Sequence, residues 1–322
     1  MRRAIDLAAS VRTATSPNPW VGAVLVTVDG REFEGATEPP GRRHAEVVAL
    51  DAARAAGVDL AGATVYTTLE PCSIHARTGP CSDALIEAAV ARVVIGIEDP
   101  DRRVAGTGIA QLREAGVSVE VGVCEGEVRT QLAPYVKHRT TGRPWVLLKL
   151  GASLDGRTAA PDGSSQWITG AAARADAHRL RAESDAVIVG AGTVRADDPA
   201  LTVRDAVGDD PMRVVLGRAP EDARVHPCVE LDGPLPDVLD ELGRRGVVQA
   251  MVEGGATVAG AFHREGLVDR YVLYLAPALF GGEDARPMFG GAGAATIDDV
   301  WRGHITNVER LGDDLKVEME PA

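Results

Sequence analysis

Short apolar runs alternate with stretches of helical periodicity along almost the whole chain. In the first half, Val21–Val28, Thr64–Leu69, Arg92–Ile97 and Val117–Val121 have the length and β-branched character of strands. Arg3–Val11, Ala45–Ala56, Ser82–Ala89 and Gly106–Ala115 carry the spacing of helices between and around them. Ala and Val dominate these runs and aromatic residues are only 4% of the chain, as suits strands covered by helices on both faces. The rhythm breaks at the polar stretch Lys137 to Pro144, which predicts a boundary between a domain of residues 1–143 and one of residues 144–322. A second series follows, with strands at Trp145–Leu150, Ala186–Gly190, Arg213–Leu216, Val247–Val252 and Tyr271–Leu275 and helices at Ala171–Ala182 and Ala256–Arg264. The second series does not repeat the first, so two unlike α/β domains are expected.

Charge narrows the function classes. Lys and Arg total 34 against 47 Asp and Glu, a net charge of −13, and no basic block offsets it, so neither a nucleic-acid backbone nor an anionic membrane is an expected partner. No apolar run reaches the ~18 residues of a membrane span, and the start at Met1-Arg2-Arg3 leads into an amphipathic stretch unlike a signal peptide. The expected location is the cytoplasm. Four scattered cysteines do not make a disulfide scaffold, which turns attention to metal chemistry.

Two of those cysteines join a constellation. His44-Ala45-Glu46 opens a helix, Pro71-Cys72 follows a strand, and Pro80-Cys81 starts the next helix. One imidazole and two thiolates form a His-Cys-Cys set for Zn2+ that leaves a fourth tetrahedral position open for water. Helix N-termini favour thiolate over thiol and so favour metal binding. Glu46, two residues past the His, is placed to act as general acid/base without ligating the metal. Singly, each Cys reads as a small buried hydrophobe and the His as a cap. The combination, in strand-to-helix contexts, is the pattern of zinc deaminases. Cys124 and Cys228 belong to no such set.

At these residues the first half resembles a known family. Thr15 to Gly22 (TSPNPWVG), His44-Ala45-Glu46-Val47, Leu69 to Ser73 (LEPCS), Asp99-Pro100-Asp101 and Val104 to Gly108 are similar to the deaminase half of the bifunctional riboflavin-biosynthesis deaminase/reductases, the RibD/RibG family. The resemblance implies a three-layer, cytidine-deaminase-like α/β/α domain. It also implies hydrolytic loss of the 2-amino group from a diaminopyrimidinone ribosylamino 5′-phosphate. Asn18 would hold the ring, and Ser73 and Arg77 the substrate near the metal and its phosphate. Two positions depart from the family's pattern: Ile74 stands where a His is usual, with His75 next, and Asp101 replaces an Asn. Both departures bear on substrate contacts rather than on the reaction.

The second half carries glycine-rich strand ends. Gly190-Ala191-Gly192 is half of a dinucleotide-binding fingerprint, but Arg195 stands where its third glycine belongs and no acidic residue closes a second strand, so a true Rossmann domain is disfavoured. Gly254-Gly255, ending one strand and opening a helix, suits the approach of a phosphate. Together with Lys149 to Arg157, Ser165 to Thr169 and the run from Val189 to Arg204, these blocks resemble the reductase half of the same family, an α/β domain of dihydrofolate-reductase-like fold that uses NADPH. On the matching positions Gly151, Trp167, Thr193, Asp197, Gly254, Gly255 and Ala256 would contact NADPH. Lys149, Ser165, Arg181, Leu201, Arg204 and Glu253 would hold the sugar phosphate, whose ribosyl group is reduced to ribityl. The resemblance also implies a homo-oligomer formed through this domain. Only 48 residues (205–252) separate Arg204 from Glu253, fewer than is usual for the family, and Gly217-Arg218 replaces an expected Asp. The shortening predicts a weakened cofactor site. The leading reading is a deaminase and reductase, and the alternative is an active deaminase beside a degenerate reductase domain. A nucleic-acid base deaminase is disfavoured by the charge and the scarcity of aromatic residues. A purely structural zinc module would leave Glu46 without a role.

Overall fold

Small residues set how closely helices approach the first sheet. A Cβ on Gly22 would collide with the Ala4 carbonyl, and one on Gly35 with that of Ala45. These two glycines face opposite sides of the sheet, because Gly35 pairs with Ala23, the neighbour of Gly22. The computed structural model describes residues 1–74 and 79–322, and the chain divides into the units Met1–Gly142 and Arg143–Ala322. Arg77, assigned to substrate above, and His75 lie outside the described residues.

The first unit runs α1 (Arg2–Ser10), β1 (Gly22–Val26), β2 (Glu32–Ala36), α2 (Ala45–Ala55), β3 (Thr64–Leu69), α3 (Cys81–Glu87), β4 (Arg92–Ile97), α4 (Thr107–Glu114), β5 (Ser118–Val121), α5 (Glu125–Gln131) and α6 (Ala133–Thr141). Its sheet has the order β2-β1-β3-β4-β5, with β1 antiparallel to both neighbours and β3, β4 and β5 parallel. α1 and α5 cover one face and α2, α3 and α4 the other, around a core that includes Leu25, Leu50, Val65, Leu85 and Ile95. This is the expected three-layer arrangement. The carboxyl ends of β2, β3 and β4 share an edge with the N-termini of the helices that follow, the usual place for a site in such sheets.

The second unit runs β6 (Trp145–Ser153), β7 (Arg157–Ala159), α7 (Ala171–Ala182), β8 (Ala186–Gly190), α8 (Ala191–Asp197), β9 (Met212–Leu216), β10 (Val229–Leu231), α9 (Leu235–Arg244), β11 (Gln249–Val252), α10 (Ala256–Arg264), β12 (Arg270–Ala276), β13 (Arg286–Pro287), β14 (Gly303–Leu311) and β15 (Asp314–Pro321). The main sheet has the order β10-β9-β8-β11-β6-β12-β15-β14, parallel from β10 to β12 and closed by the antiparallel hairpin β14–β15. Alternate residues of β6 feed two cores: Val146, Leu148 and Leu150 meet Leu242 and Phe262, while Leu147 meets Ala177 and Leu180 of α7.

The structure adds detail that the sequence does not show. The polar stretch from Lys137 to Pro144 is helical to Thr141, and the chain turns at Gly142, the last residue of the first unit, whose φ of +76° suits glycine. Gly190-Ala191-Gly192, half of a dinucleotide-binding fingerprint in sequence, caps and opens the helix α8. β14 shows no apolar alternation because it is an exposed edge strand, with Ile305 and Val308 more than half exposed. The shortened segment 205–252 still holds β9, β10, α9 and β11, so the eight-stranded sheet lacks no strand.

Candidate functional site

The first site collects at the ends of β2 and β3. His44 is the N-cap residue of α2, in extended conformation, and Glu46 follows in the first turn with 3% exposure. Cys72 lies three residues past β3 and Cys81 is the first residue of α3. The start of α3 grips the Cys72 segment: the Cys81 N–H donates to Cys72 Sγ (3.4 Å), and both the N–H and the hydroxyl of Ser82 donate to the Cys72 carbonyl (3.2 and 3.1 Å).

Both thiols converge on one nitrogen. His44 Nδ1 is 3.5 Å from Cys72 Sγ and 3.3 Å from Cys81 Sγ, and the three donor atoms all lie within 4.8 Å of one another. A zinc ion with Zn–N of about 2.0 Å and Zn–S of about 2.3 Å would set tetrahedral N···S edges of roughly 3.6 Å. The donor set therefore fits zinc in both chemistry and spacing. Hydrogen bonds from Cys81 and from His44 hold the Cys72 thiol well below the usual thiol range, favouring the thiolate a metal needs. Burial raises the Glu46 pKa, and its carboxylate lies 3.4 Å from Thr67 Oγ1 and beside the Cys81 thiol. A carboxyl in such a place can accept and return a proton.

A second carboxylate organises the surroundings. Glu70, buried next to Pro71-Cys72, accepts the backbone N–H groups of Asp99 (3.1 Å), Gly106 (3.0 Å), Gly108 (2.9 Å) and Ile109 (3.1 Å). It ties the metal-ligand segment to the loop before α4 and to the first turn of α4, where Ser73 Oγ meets Thr107 Oγ1 at 2.6 Å. Sequence reading missed Glu70, although Glu in an LEPC string beside a ligand is a visible signal. Asp101 is not a free carboxylate, because Arg103 clamps it with Nε at 3.0 Å and Nη2 at 2.6 Å and lowers its pKa to about 2. Asn18, half-buried, precedes β1, whose start lies beside the end of β3 that leads to Cys72. Ile74 is 38% exposed.

The second unit has two clefts that share Thr193, Asp197 and Glu253. One, of about 590 Å³, gathers Lys149, Arg181, Leu201 and Arg204 with Trp167 and His178. Its anchor is Glu253, which receives Arg181 in a fork (2.8 and 3.0 Å) with Lys149 Nζ at 3.6 Å. Burial alone would raise the Glu253 pKa, but Lys149 and Arg181 outweigh it and keep the group ionised. Leu201 adopts φ +53°, a left-handed conformation costly for a branched side chain, next to Thr202, whose carbonyl accepts from Arg181 (2.6 Å).

The other cleft, of about 780 Å³, is walled by Gly190 to Thr193, Gly254, Gly255, Ala256, Ser165, Arg195 and Arg286. A Cβ on Gly254 would collide with Val258, so glycine is what lets α10 start hard against the strand end. Gly255 caps that nine-residue helix and donates its N–H to Thr193 Oγ1 (3.3 Å). Helix-start N–H groups beside two arginines suit the phosphates of a dinucleotide. Ser165 and Trp167, two residues apart, line different clefts, Ser165 with the glycines and Trp167 with Arg181, the reverse of the grouping implied by the resemblance. Gly151 is on β6 and in neither wall.

Comparison with known proteins agrees with this division. Residues 1–97 match the family model of the cytidine and deoxycytidylate deaminase zinc-binding region, and residues 144–317 match that of the RibD C-terminal domain. The riboflavin biosynthesis protein RibD of Mycobacterium tuberculosis is 43% identical over 98% of this chain and 94% of its own length. The chain belongs to the RibD family. RibD of Acinetobacter baumannii, 38% identical, superposes with a TM-score of 0.93 over all of this chain and 97% of that one. A Thermotoga maritima structure described as a diaminohydroxyphosphoribosylaminopyrimidine deaminase/5-amino-6-(5-phosphoribosylamino)uracil reductase is 35% identical, with a TM-score of 0.91 over 100% of this chain and 97% of that one. As a RibD protein the chain is a riboflavin-biosynthesis enzyme with a zinc-deaminase half and a reductase half, of cytidine-deaminase-like and dihydrofolate-reductase-like fold. That coverage, with the eight-stranded second sheet, supports a full reductase half over the degenerate alternative. Among the described residues no helix is long and apolar enough to cross a membrane.

Proposed function

We propose that the first unit removes the 2-amino group of a 2,5-diamino-6-ribosylaminopyrimidinone 5′-phosphate by hydrolysis, and that the second reduces the ribosyl group of the product to ribityl with NADPH. The observation that carries the first step is the convergence of His44, Cys72 and Cys81 with Glu46 buried beside them. His44, Cys72 and Cys81 would hold zinc, whose Lewis acidity would make a bound water nucleophilic towards the ring carbon. Glu46 takes the first proton the water gives up and passes it to the ring nitrogen, then takes the second from the hydroxyl of the adduct and delivers it to the amine as its C–N bond breaks. Ammonia leaves and a carbonyl remains. Asn18 and Ser73 orient the ring, and Arg77 meets the phosphate.

For the second step, NADPH lies along the glycine-walled cleft, its pyrophosphate at Gly254, Gly255 and Ala256. Thr193, Asp197 and Ser165 give further contacts, and the hydride passes to the sugar carbon as its bond to the ring oxygen breaks and that oxygen takes up a proton. Lys149, Arg181, Leu201, Arg204 and Glu253, with Trp167 beside them, hold the ribosylamino phosphate. Support comes from the two clefts sharing Thr193, Asp197 and Glu253, an arrangement in which a coenzyme in one and a sugar in the other would lie within reach of each other. The reading includes work in the cytoplasm, where thiols stay reduced. It also includes self-association through the second unit, whose edge strand β14 exposes Ile305 and Val308.

The test is one assay in two arms. Supplied with the diaminopyrimidinone substrate alone, the protein should release ammonia and stop at the deaminated sugar. With NADPH added, stoichiometric NADPH oxidation should follow. No ammonia in either arm would refute the first step, NADPH oxidation that precedes ammonia release would reverse the proposed order, and no NADPH oxidation after ammonia release would refute the second step.

A further inference from the structure

We propose that His178 is a positioning residue that aims Arg204 at the phosphate of the sugar substrate. The proposal deepens the reading of the 590 Å³ cleft as the sugar-phosphate cleft and rests on it. His178 stands on α7 three residues before Arg181 and is 7% exposed. Its Nε2 lies 3.4 Å from Arg204 Nη2, while its Nδ1 is buried with no hydrogen-bond partner. A guanidinium nitrogen only donates, so Nε2 accepts and the ring carries its proton on Nδ1. The free enzyme thus holds a neutral imidazole as acceptor for Arg204.

Three other cations of the cleft are engaged, and Arg224 lies exposed at its wall. Arg181 and Lys149 are drawn to Glu253, and Arg174 donates to the Thr169 carbonyl (2.6 Å) and stacks on Trp167. Arg204 has no carboxylate within ion-pair distance among the described residues, so the rest of its fork is open to an anion. One N–H of the fork is fixed by His178, which removes a rotamer choice that a phosphate would otherwise have to impose.

The charged groups facing the ring are Arg181 on its own helix, Arg204 and Asp205 (Oδ2 3.9 Å from Nε2) on the loop after Leu201, and Glu253 at the end of β11. Lys149 of β6 and Asp197 of α8 line the same cleft. Burial, then Arg181 and Arg204, hold the His178 pKa below its usual value of 6.5. As pH falls through that lowered value, Nε2 gains a proton, ceases to accept and faces Arg204 as a like charge. Arg204 then loses its aim and phosphate affinity drops. An imidazole that bound the phosphate directly would do the opposite and bind more tightly as it protonated.

Binding of ribose 5-phosphate and of ribose to the full chain, measured by calorimetry between pH 5 and 8, separates these cases. His178→Leu should weaken ribose 5-phosphate roughly ten- to hundredfold, the worth of one hydrogen bond to a charged group, and leave ribose unaffected. His178→Gln, whose side-chain oxygen accepts at every pH, should recover most of the affinity at pH 8 and lack the acid loss that the parent shows relative to it. Adding His178→Leu to Arg204→Ala should cost nothing further. In turnover the His178→Leu loss should fall on KM rather than on kcat. Parent-like affinity in His178→Leu, or a parent that gains on His178→Gln as pH falls, overturns the assignment while the cleft's reading stands. A parent that binds ribose 5-phosphate no better than ribose overturns the reading of the cleft, and the assignment with it.

Discussion

The zinc centre and the paired clefts are built by different means. At the first site three donor atoms and one carboxylate meet at a point, each fixed by the end of a strand or the start of a helix. At the second, shape comes from glycines where strands end, and charge from an ion pair joining residues 72 positions apart, Arg181 and Glu253. Metal coordination admits few residue types at few spacings, so the first site is sharply defined by chemistry. Binding a sugar phosphate or a coenzyme spreads over many weak contacts, and no single residue defines it.

The comparison breaks most visibly if the two sites depend on each other. Cys72→Ser removes a thiolate ligand, and zinc content per chain should fall sharply with near-complete loss of ammonia release. NADPH oxidation on a substrate supplied already deaminated should persist. A parallel fall in that second rate would mean the sites are not built independently.

How legible each site was follows from the same contrast. His44, Glu46, Cys72 and Cys81 were visible in the sequence because their residue types have little other use together, and the structure brings all four to one place. Glu70 and His178 were not singled out: Glu70 lies just past β3 and His178 within α7, and their partners lie 29 to 39 positions away for Glu70 and 26 for His178. Among the elements, apolar strands such as β3, β4 and β8 were read to within a residue or two. The hairpin β14–β15 and the helices α5 and α6 were missed, since an exposed edge and short polar helices carry little periodic signal.

A smaller effect sharpens the description of the first unit. Burial raises the Asp99 carboxyl from 3.8 to about 6, next to the Tyr135 hydroxyl at 3.2 Å and the Asp101 N–H at 2.8 Å. Its folded pKa exceeds its unfolded one, so the stability it contributes is present below about pH 4 and is lost as pH rises through about 6. Asn in its place still accepts the Asp101 N–H. Asp99→Asn should therefore raise Tm by a few degrees at pH 7, with the gain shrinking as pH is lowered towards 4, as thermal unfolding across that range would show. A gain independent of pH would mean that Asp99 is not protonated in the fold.

The central claim is that Glu46 moves the proton at a metal site it does not help to build. Zinc content and ammonia release measured together on Glu46→Gln test it most directly. The account predicts full zinc occupancy, unchanged reductase turnover on deaminated substrate, and ammonia release lowered by roughly 10²–10⁴-fold, the usual worth of a general acid/base. Ammonia release near the parent rate with zinc retained would contradict it.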